Sequence, residues 1–370
     1  MSTDGKVPKS FRAWLEMAAS PAILFYALPW LMILLVAGTV AQKDLGLYAA
    51  QHLYFSSWIL WWGPFPLPGA YSTLGVITLC LAAKFVLYSP WRVHQAGIIL
   101  THLGVLVLLI GGLITAFSQK EGYMLLGEGQ SSALVSDYHE RVLYIEQGGK
   151  TVAGIPFGTL KTGEAVSAAL PFTITPRTIC RNCQPAPAPK ADDRHGLARE
   201  ISLQSAPPEQ SDEANLSGLS FAIAGAGDQD GEYLVMEEIP HHPQITIGKK
   251  IYSISLSRAQ TALPFAIELK NFERVLHPGT EMASGFSSDV IVRDGAVEWP
   301  YQIRMNEPLR YKAYTFYQAS FSLRPDGEYS VLSVVRNKGR IFPYLGGALI
   351  FVGLLLHIFI RLTKMKKEAA

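Results

Sequence analysis

The 370-residue chain is 49% hydrophobic and only 17% charged, with a formal net charge of +2. That charged fraction is too low for an ordinary water-soluble protein, so a membrane protein with a substantial soluble part is expected. No clustered basic footprint is present, which speaks against nucleic acid as a partner.

Residues 1–21 form a basic lead carrying Lys6, Lys9 and Arg12, followed by a first apolar run over Ala22–Val40. Thr39 and Ala41 have the small size of a signal-peptidase site, but the run is long for a signal peptide and a retained span is expected. The stretch 43–70 starts polar and becomes aromatic, with Trp58, Trp61 and Trp62 beside Pro64, Pro66 and Pro68. It reads as an extracytoplasmic loop lying against the outer leaflet. His52 within it is either a surface histidine at headgroup level or an external ligand. A second span covers Thr73–Leu87, in which Cys80 reads as a packing residue and Lys84 snorkels toward the headgroups. His94, in the turn that follows, is expected to face solvent.

The third span, Gln95–Phe117, has His102 as its only ionisable side chain. About 20 apolar residues rising ~1.5 Å each cross a bilayer core. Imidazole at that depth must find a partner, and two remain open: a hydroxyl or carbonyl of a neighbouring helix, or the iron of a haem. Gly97, Gly104 and Gly111 recur every seven residues as a stripe suited to close helix contact. At ~100° per residue His102 points about 200° away from Gly104, so its partner lies on another side.

From residue 118 to 340 the pattern changes to alternating apolar and polar residues rich in β-branched and aromatic types, as in RVLYIEQ, IYSISLS and PFAIELKNF. These read as strands of a β-rich, sandwich-like domain. Residues 185–231, rich in Pro, Ala, Ser and acidic types, are expected to form a flexible insertion. Just ahead of it, Cys180 and Cys183 form a CxxC pair. Three readings stand: a loop disulfide, a thiol-disulfide centre, or an accident of spacing. Gln184 occupies the position where a covalent haem motif needs histidine, and no second CxxC completes a zinc site. Of His139, His195, His241, His242 and His277, the His241–His242 pair is the weak candidate for a ligand.

The fourth span, Ile341–Ile360, carries His357, one turn after Gly353 and so toward another helix. A basic tail, 361–370, follows with Arg361, Lys364, Lys366 and Lys367. If the four spans alternate, the basic lead, Arg92 and this tail share one side, which the positive-inside rule makes the cytoplasm. The expected architecture is membrane α+β: three N-terminal transmembrane helices within 22–117, one C-terminal helix at 341–360, and an extracytoplasmic β-rich domain. His102 and His357 then lie about 10 Å and about 6 Å from the cytoplasmic ends of their spans.

Several phrases resemble the ResB family, also called CcsB, of cytochrome c biogenesis proteins: GTVAQKDLGLYAAQHLYFSSW, THLGVLVLLIGG, LLGEGQ, PFAIELKNFERVLHPGTEMASGFSSDV and, most specifically, MNEPLRYKAYTFYQASF. The resemblance covers both ends of the chain and the last third of the external domain, and little of 150–255. It implies a protein of the bacterial cytoplasmic membrane that works with a CcsA-type partner. Together they carry haem b across the membrane and support its attachment to the CxxCH motifs of apocytochrome c, with a thioredoxin-like reductant as a further partner. It also implies His102 as an axial haem ligand, with the second ligand from the partner; catalysis by this chain alone is not implied. His357 is a further candidate for haem contact on its depth and helix face, not on the resemblance. Cys180 and Cys183 map onto no motif of the family. Two other readings remain, a structural assembly factor that binds no haem and a membrane thiol-disulfide protein centred on the two cysteines.

Overall fold

The structure, a computed structural model, describes residues 9–368 except 90, 167, 190, 281 and 326. The first eight residues of the basic lead and the last two of the tail lie outside the described residues. The chain divides into a helical unit, Met1–Gln119 with Arg336–Ala370, and a β unit, Lys120–Val335.

In the helical unit, α1 (Lys9–Ala18) is followed by α2 (Pro21–Leu45). Pro21 opens α2 because a proline at the first helical position gives up an N–H that has no intrahelical partner there. The apolar run stops at Val40, yet the helix continues to Leu45 and takes in Lys43. What ends it is Gly46, at φ 78°, whose N–H bonds to the Gln42 carbonyl at 3.0 Å. The stretch expected as an aromatic loop is instead structured. It holds α3 (Leu47–Ala50), a π-helical turn (Gln51–Phe55) and a hairpin of β1 (Ile59–Trp62) and β2 (Phe65–Pro68). Then come α4 (Ala70–Tyr88), α5 (Ala96–Ser118) and, after the β unit, α6 (Phe342–Glu368). Among the described residues, four helical segments are long and apolar enough to cross a bilayer: Pro21–Leu45, Ala70–Tyr88, Val93–Ser118 and Phe342–Met365.

α5 and α6 pack antiparallel through two glycine stripes of the same seven-residue spacing. Gly97 meets α6 at Gly353 and His357, Gly104 meets it at Gly346 and Ile350, and Gly111 meets it at Phe342. A methyl group on Gly104 would stand 2.7 Å from Ile350 Cγ1, and one on Gly353 would stand 2.6 Å from Thr101 Oγ1. Backbone therefore lies on backbone, the arrangement small residues allow where lipid supplies no hydrophobic drive for association. At the far end Asn337 receives the Thr115 hydroxyl at 3.1 Å and the Gly339 N–H at 2.7 Å, which ties the two points where the chain leaves and re-enters this unit.

The β unit contains β3 (Lys120–Gly127), β4 (Ser131–Gln147), β5 (Lys150–Pro156), β6 (Thr173–Cys180), β7 (Cys183–Pro187) and β8 (Ile201–Ser205). After these come β9 (Gly218–Ala224), β10 (Gly231–Met236), β11 (Gln244–Ile247), β12 (Lys250–Leu276) and β13 (Ala283–Asp294). The last are β14 (Val297–Arg304), β15 (Leu309–Tyr311), β16 (Tyr314–Arg324) and β17 (Gly327–Arg336). Ten of them form one sheet in the order β14-β13-β12-β4-β3-β17-β16-β15, with β11 and β5 paired to β12 and β4. The long antiparallel pair β4 and β12 runs through two cores. One core, with Phe265, Ile267, Val290 and Phe316, is enclosed by β3, β12–β14, β16 and β17. The other, with Leu143, Phe221, Tyr233 and Ile254, lies between β4 and β12 and the three-stranded sheet β10-β9-β6. Alternating apolar residues on each strand supply both, as the period-two pattern requires.

The region 185–231 departs from the flexible insertion expected for it, since β7, β8 and β9 fall there. Proline-rich composition reads as unpaired because proline has no N–H, yet β7 pairs only with β8 and Pro185 and Pro187 are tolerated on such an edge. Its acidic residues read as solvated, but Asp212 is buried against arginines.

Candidate functional site

Placed on α5, His102 is exposed on an otherwise apolar face. Its Nδ1 lies 2.8 Å from the Ile98 carbonyl oxygen. A carbonyl only accepts, so Nδ1 carries the proton, and in the neutral ring the lone pair then sits on Nε2. Among the described residues nothing hydrogen-bonds that Nε2. A backbone carbonyl on one imidazole nitrogen leaves the other as the only one able to act as a ligand. Five residues after Gly97 and two before Gly104, His102 stands on the side of α5 turned away from α6.

His357 belongs to a different environment. Its backbone lies against Gly97 in the seam, its side chain is half-buried, and neither ring nitrogen takes a hydrogen bond among the described residues. The two imidazoles thus occupy different sides of the α5 axis. Among the described residues of the helical unit, none supplies a second ligand beside His102. The other candidates are scattered: His52 packs edge-on to Tyr48 at 4.4 Å, and His94 is exposed. In the β unit, His195 stacks on Tyr233 at 5.0 Å and His241 borders Gly196. Among the described residues no three His, Cys, Asp or Glu side chains gather as a metal site.

Cys180 and Cys183 are joined in a disulfide, with Cα atoms 5.4 Å apart. Both are 3% exposed and pack on Ala198, Leu203, Leu234 and Met236. Thiol-disulfide exchange needs a thiolate to reach a sulfur, and this cover denies access. What the turn does present outward is Arg181, whose Nε and Nη2 each donate to Asp212 at 2.8 Å.

Asp212 opens a buried ionic network that sequence reasoning missed. Its Oδ2 accepts from His139 Nδ1 at 2.7 Å and lies 3.4 Å from Arg141 Nη1. Arg141, almost wholly buried, also donates to Glu237 at 3.1 Å and to the carbonyls of His139 at 2.7 Å and Asn215 at 3.0 Å. Glu237 in turn accepts the Ser217 N–H at 2.8 Å and lies near Arg258. A bulge in β4 makes this possible. Asp137 accepts the N–H groups of His139 and Glu140, the ladder with β12 breaks between Arg141 and Ser136, and His139 turns toward Asp212. A signal was present in the sequence: Arg141 shares the parity of the core residues Leu143 and Ile145, so an arginine was pointing inward and needed acids.

Burial pushes the Asp212 carboxyl up, but the hydrogen bonds from His139 and Arg181 and the nearby Arg181 and Arg141 charges more than reverse this and hold it below the ordinary aspartate value. A depressed carboxyl contributes stability that is full above its unfolded value and is lost as pH falls through the folded one. Acid unfolding of the β unit is therefore expected to lose part of its dependence on pH below the ordinary aspartate range in Asp212→Asn. Urea midpoints of wild type and variant taken at neutral pH and at successively lower pH check this. A gap that stays constant with pH would contradict it.

Residues 244–328, from β11 into β17, match the model of the ResB-like family. Protein NrfI of Wolinella succinogenes is 24% identical over an alignment of 370 residues that covers 93% of this chain and 36% of NrfI. Over residues 244–328 the chain is similar to the ResB-like family. It spans little more than a third of the length of the curated relative it matches. The matched segment holds most of the first core and Arg258 of the network, while His102, His357, Cys180 and Cys183 all lie outside it.

Proposed function

We propose that this protein is a ResB-type membrane component of cytochrome c maturation, which with a CcsA-type partner carries haem across the bacterial cytoplasmic membrane and supports its attachment to apocytochrome c. The observation that carries the reading is His102, an imidazole on an apolar helix face with Nδ1–H bonded to Ile98 and Nε2 free to bind iron. The family match supports the biogenesis role. Haem b is the cargo in this reading, and its two vinyl groups add the S–H bonds of the CxxCH cysteines outside the membrane. The chain's own share is to bind and orient. His102 would hold one axial position, the apolar faces of α4 and α5 would exclude water, and the second axial ligand would come from the partner.

α2, α4, α5 and α6 are proposed as the spans, with both termini cytoplasmic and the β unit outside. Arg12, Arg92, Arg361 and Lys364 stand at the ends that alternate crossing puts on one side, in keeping with the positive-inside rule. His357, on the other side of the α5 axis, is not part of the ligand pair. The buried sulfurs of Cys180 and Cys183 weigh against the thiol-disulfide reading and leave thiol reduction to a separate thioredoxin-like protein.

The test is the haem spectrum of the chain co-purified with its partner. His102→Gly is expected to lose most of the bound haem and to regain it on addition of free imidazole, while His357→Ala keeps the wild-type spectrum. Undiminished haem in His102→Gly overturns the ligand role, and a haem-free chain within a haem-loaded complex favours an assembly factor instead.

A further inference from the structure

We infer that the β1–β2 hairpin is a lipid-binding element that sits in the headgroup–acyl boundary of the bilayer where α4 begins. The inference rests on the proposed crossing of the helices and adds a contact that the crossing does not require. The first observation is depth. Trp58, at the base of the hairpin, stacks on Phe117 at 6.3 Å and meets Tyr71 edge-on at 5.6 Å, so the hairpin is pinned to the last turn of α5 and the first turn of α4. The Gly69 N–H and the Ser72 hydroxyl both donate to the Trp58 carbonyl, and Trp30 Nε1 donates to the Pro68 carbonyl at 2.9 Å.

The second observation is sidedness. Leu60 is buried and, with Leu67, packs on Trp30, Leu31 and Leu34. By contrast Trp61, Trp62 and Phe65 are 63%, 77% and 68% exposed, and Ile59 is half exposed. An apolar patch of that kind is a liability in water and needs a cover.

The third observation decides which cover. From Leu53 to Ala83 the sequence contains no Asp, Glu, Lys, Arg or His, so the hairpin offers no charge for a protein partner or an anionic headgroup. Its second strand is Phe65-Pro66-Leu67-Pro68, preceded by Pro64. Prolines have no N–H, so this edge cannot template another strand, and it also carries fewer donors that would go unsatisfied in lipid. Indole rings, apolar with a single N–H, favour the membrane boundary. An uncharged, donor-poor, tryptophan-tipped hairpin at the helix ends fits a lipid surface better than a peptide.

The experiment reconstitutes the full chain in phosphatidylcholine vesicles, either plain or brominated on the acyl chains near the carbonyl end, and follows tryptophan emission in wild type and in Trp61→Phe/Trp62→Phe. Wild type is expected to lose more emission to the brominated lipid than the variant does, and the difference signal is expected to resist aqueous iodide. Should the double variant fail to accumulate, Trp62→Phe alone gives the same comparison with a smaller difference. A difference signal quenched by iodide and not by bromine overturns the inference while the helices remain inserted, and one quenched by neither points to a protein cover and overturns it too. Failure of the chain to float with the vesicles overturns the proposed crossing as well.

Discussion

Replacing Arg141 by alanine is expected to cost the β unit about 3–5 kcal/mol, the scale for removing one member of a buried ionic group. The guanidinium is almost wholly buried and serves the Glu237 and Asp212 carboxylates and three backbone carbonyls at once. Its loss leaves Glu237 with the Ser217 N–H and with Arg258 at 3.6 Å, and strips the carbonyls of His139 and Asn215 of a donor. The segments it joins are distant in sequence: β4, the turn around Asp212, and the residue that follows β10. Adding Glu237→Gln to Arg141→Ala is expected to recover part of the loss, because it removes a buried carboxylate that has lost the nearer of its two arginines. Pulse proteolysis of the full chain across a urea series measures both variants. A loss below about 1 kcal/mol would mean that the network is solvated rather than buried.

The second large effect is expected in the glycine seam, where two substitutions on one helix should have opposite signs. Gly104→Ala forces a methyl into Ile350 and the Gly346 carbonyl, with the nearest atoms at 2.7 and 2.8 Å, and backbone cannot yield as a flexible side-chain end can. A cost of about 1–3 kcal/mol follows from overpacking. Gly112, on the same helix, has nothing within 4 Å of the corresponding position. Gly112→Ala should therefore gain up to about 1 kcal/mol from helix propensity alone. Thermal unfolding of the detergent-solubilised chain separates the two. If both variants shift the midpoint the same way, close packing of α5 on α6 is not what holds the helical unit.

Much of the helical unit was legible because its signal is local. An apolar run of about 20 residues has one economical outcome, and the seven-residue glycine spacing announced a close contact. The partner of that stripe was not legible, since Gly339, Gly346 and Gly353 lie more than 200 residues away and nothing local pairs them with Gly97, Gly104 and Gly111. Helix ends escaped for a smaller reason: hydropathy stops at Val40, whereas the backbone stops at Gly46. Strands in the β unit followed from alternation, but composition misjudged 185–231, where edge prolines and acids paired to buried arginines carry the signature of a solvated loop.

The sequence by itself determined where the apolar helices lie, where the β-rich region lies, and that a single histidine stands in each of two apolar spans. Tertiary structure alone decided what those histidines face. Hydrogen bonding to Ile98 commits one nitrogen of His102 and leaves the other open, while the seam with Gly97 takes the backbone of His357. It also decided that Cys180 and Cys183 are sealed beneath apolar side chains and that Arg141 is answered by Asp212 and Glu237. The physical reason is the same throughout. Helix, strand and apolar content depend on neighbours along the chain, whereas the chemistry of a buried or paired group depends on neighbours that only folding brings near.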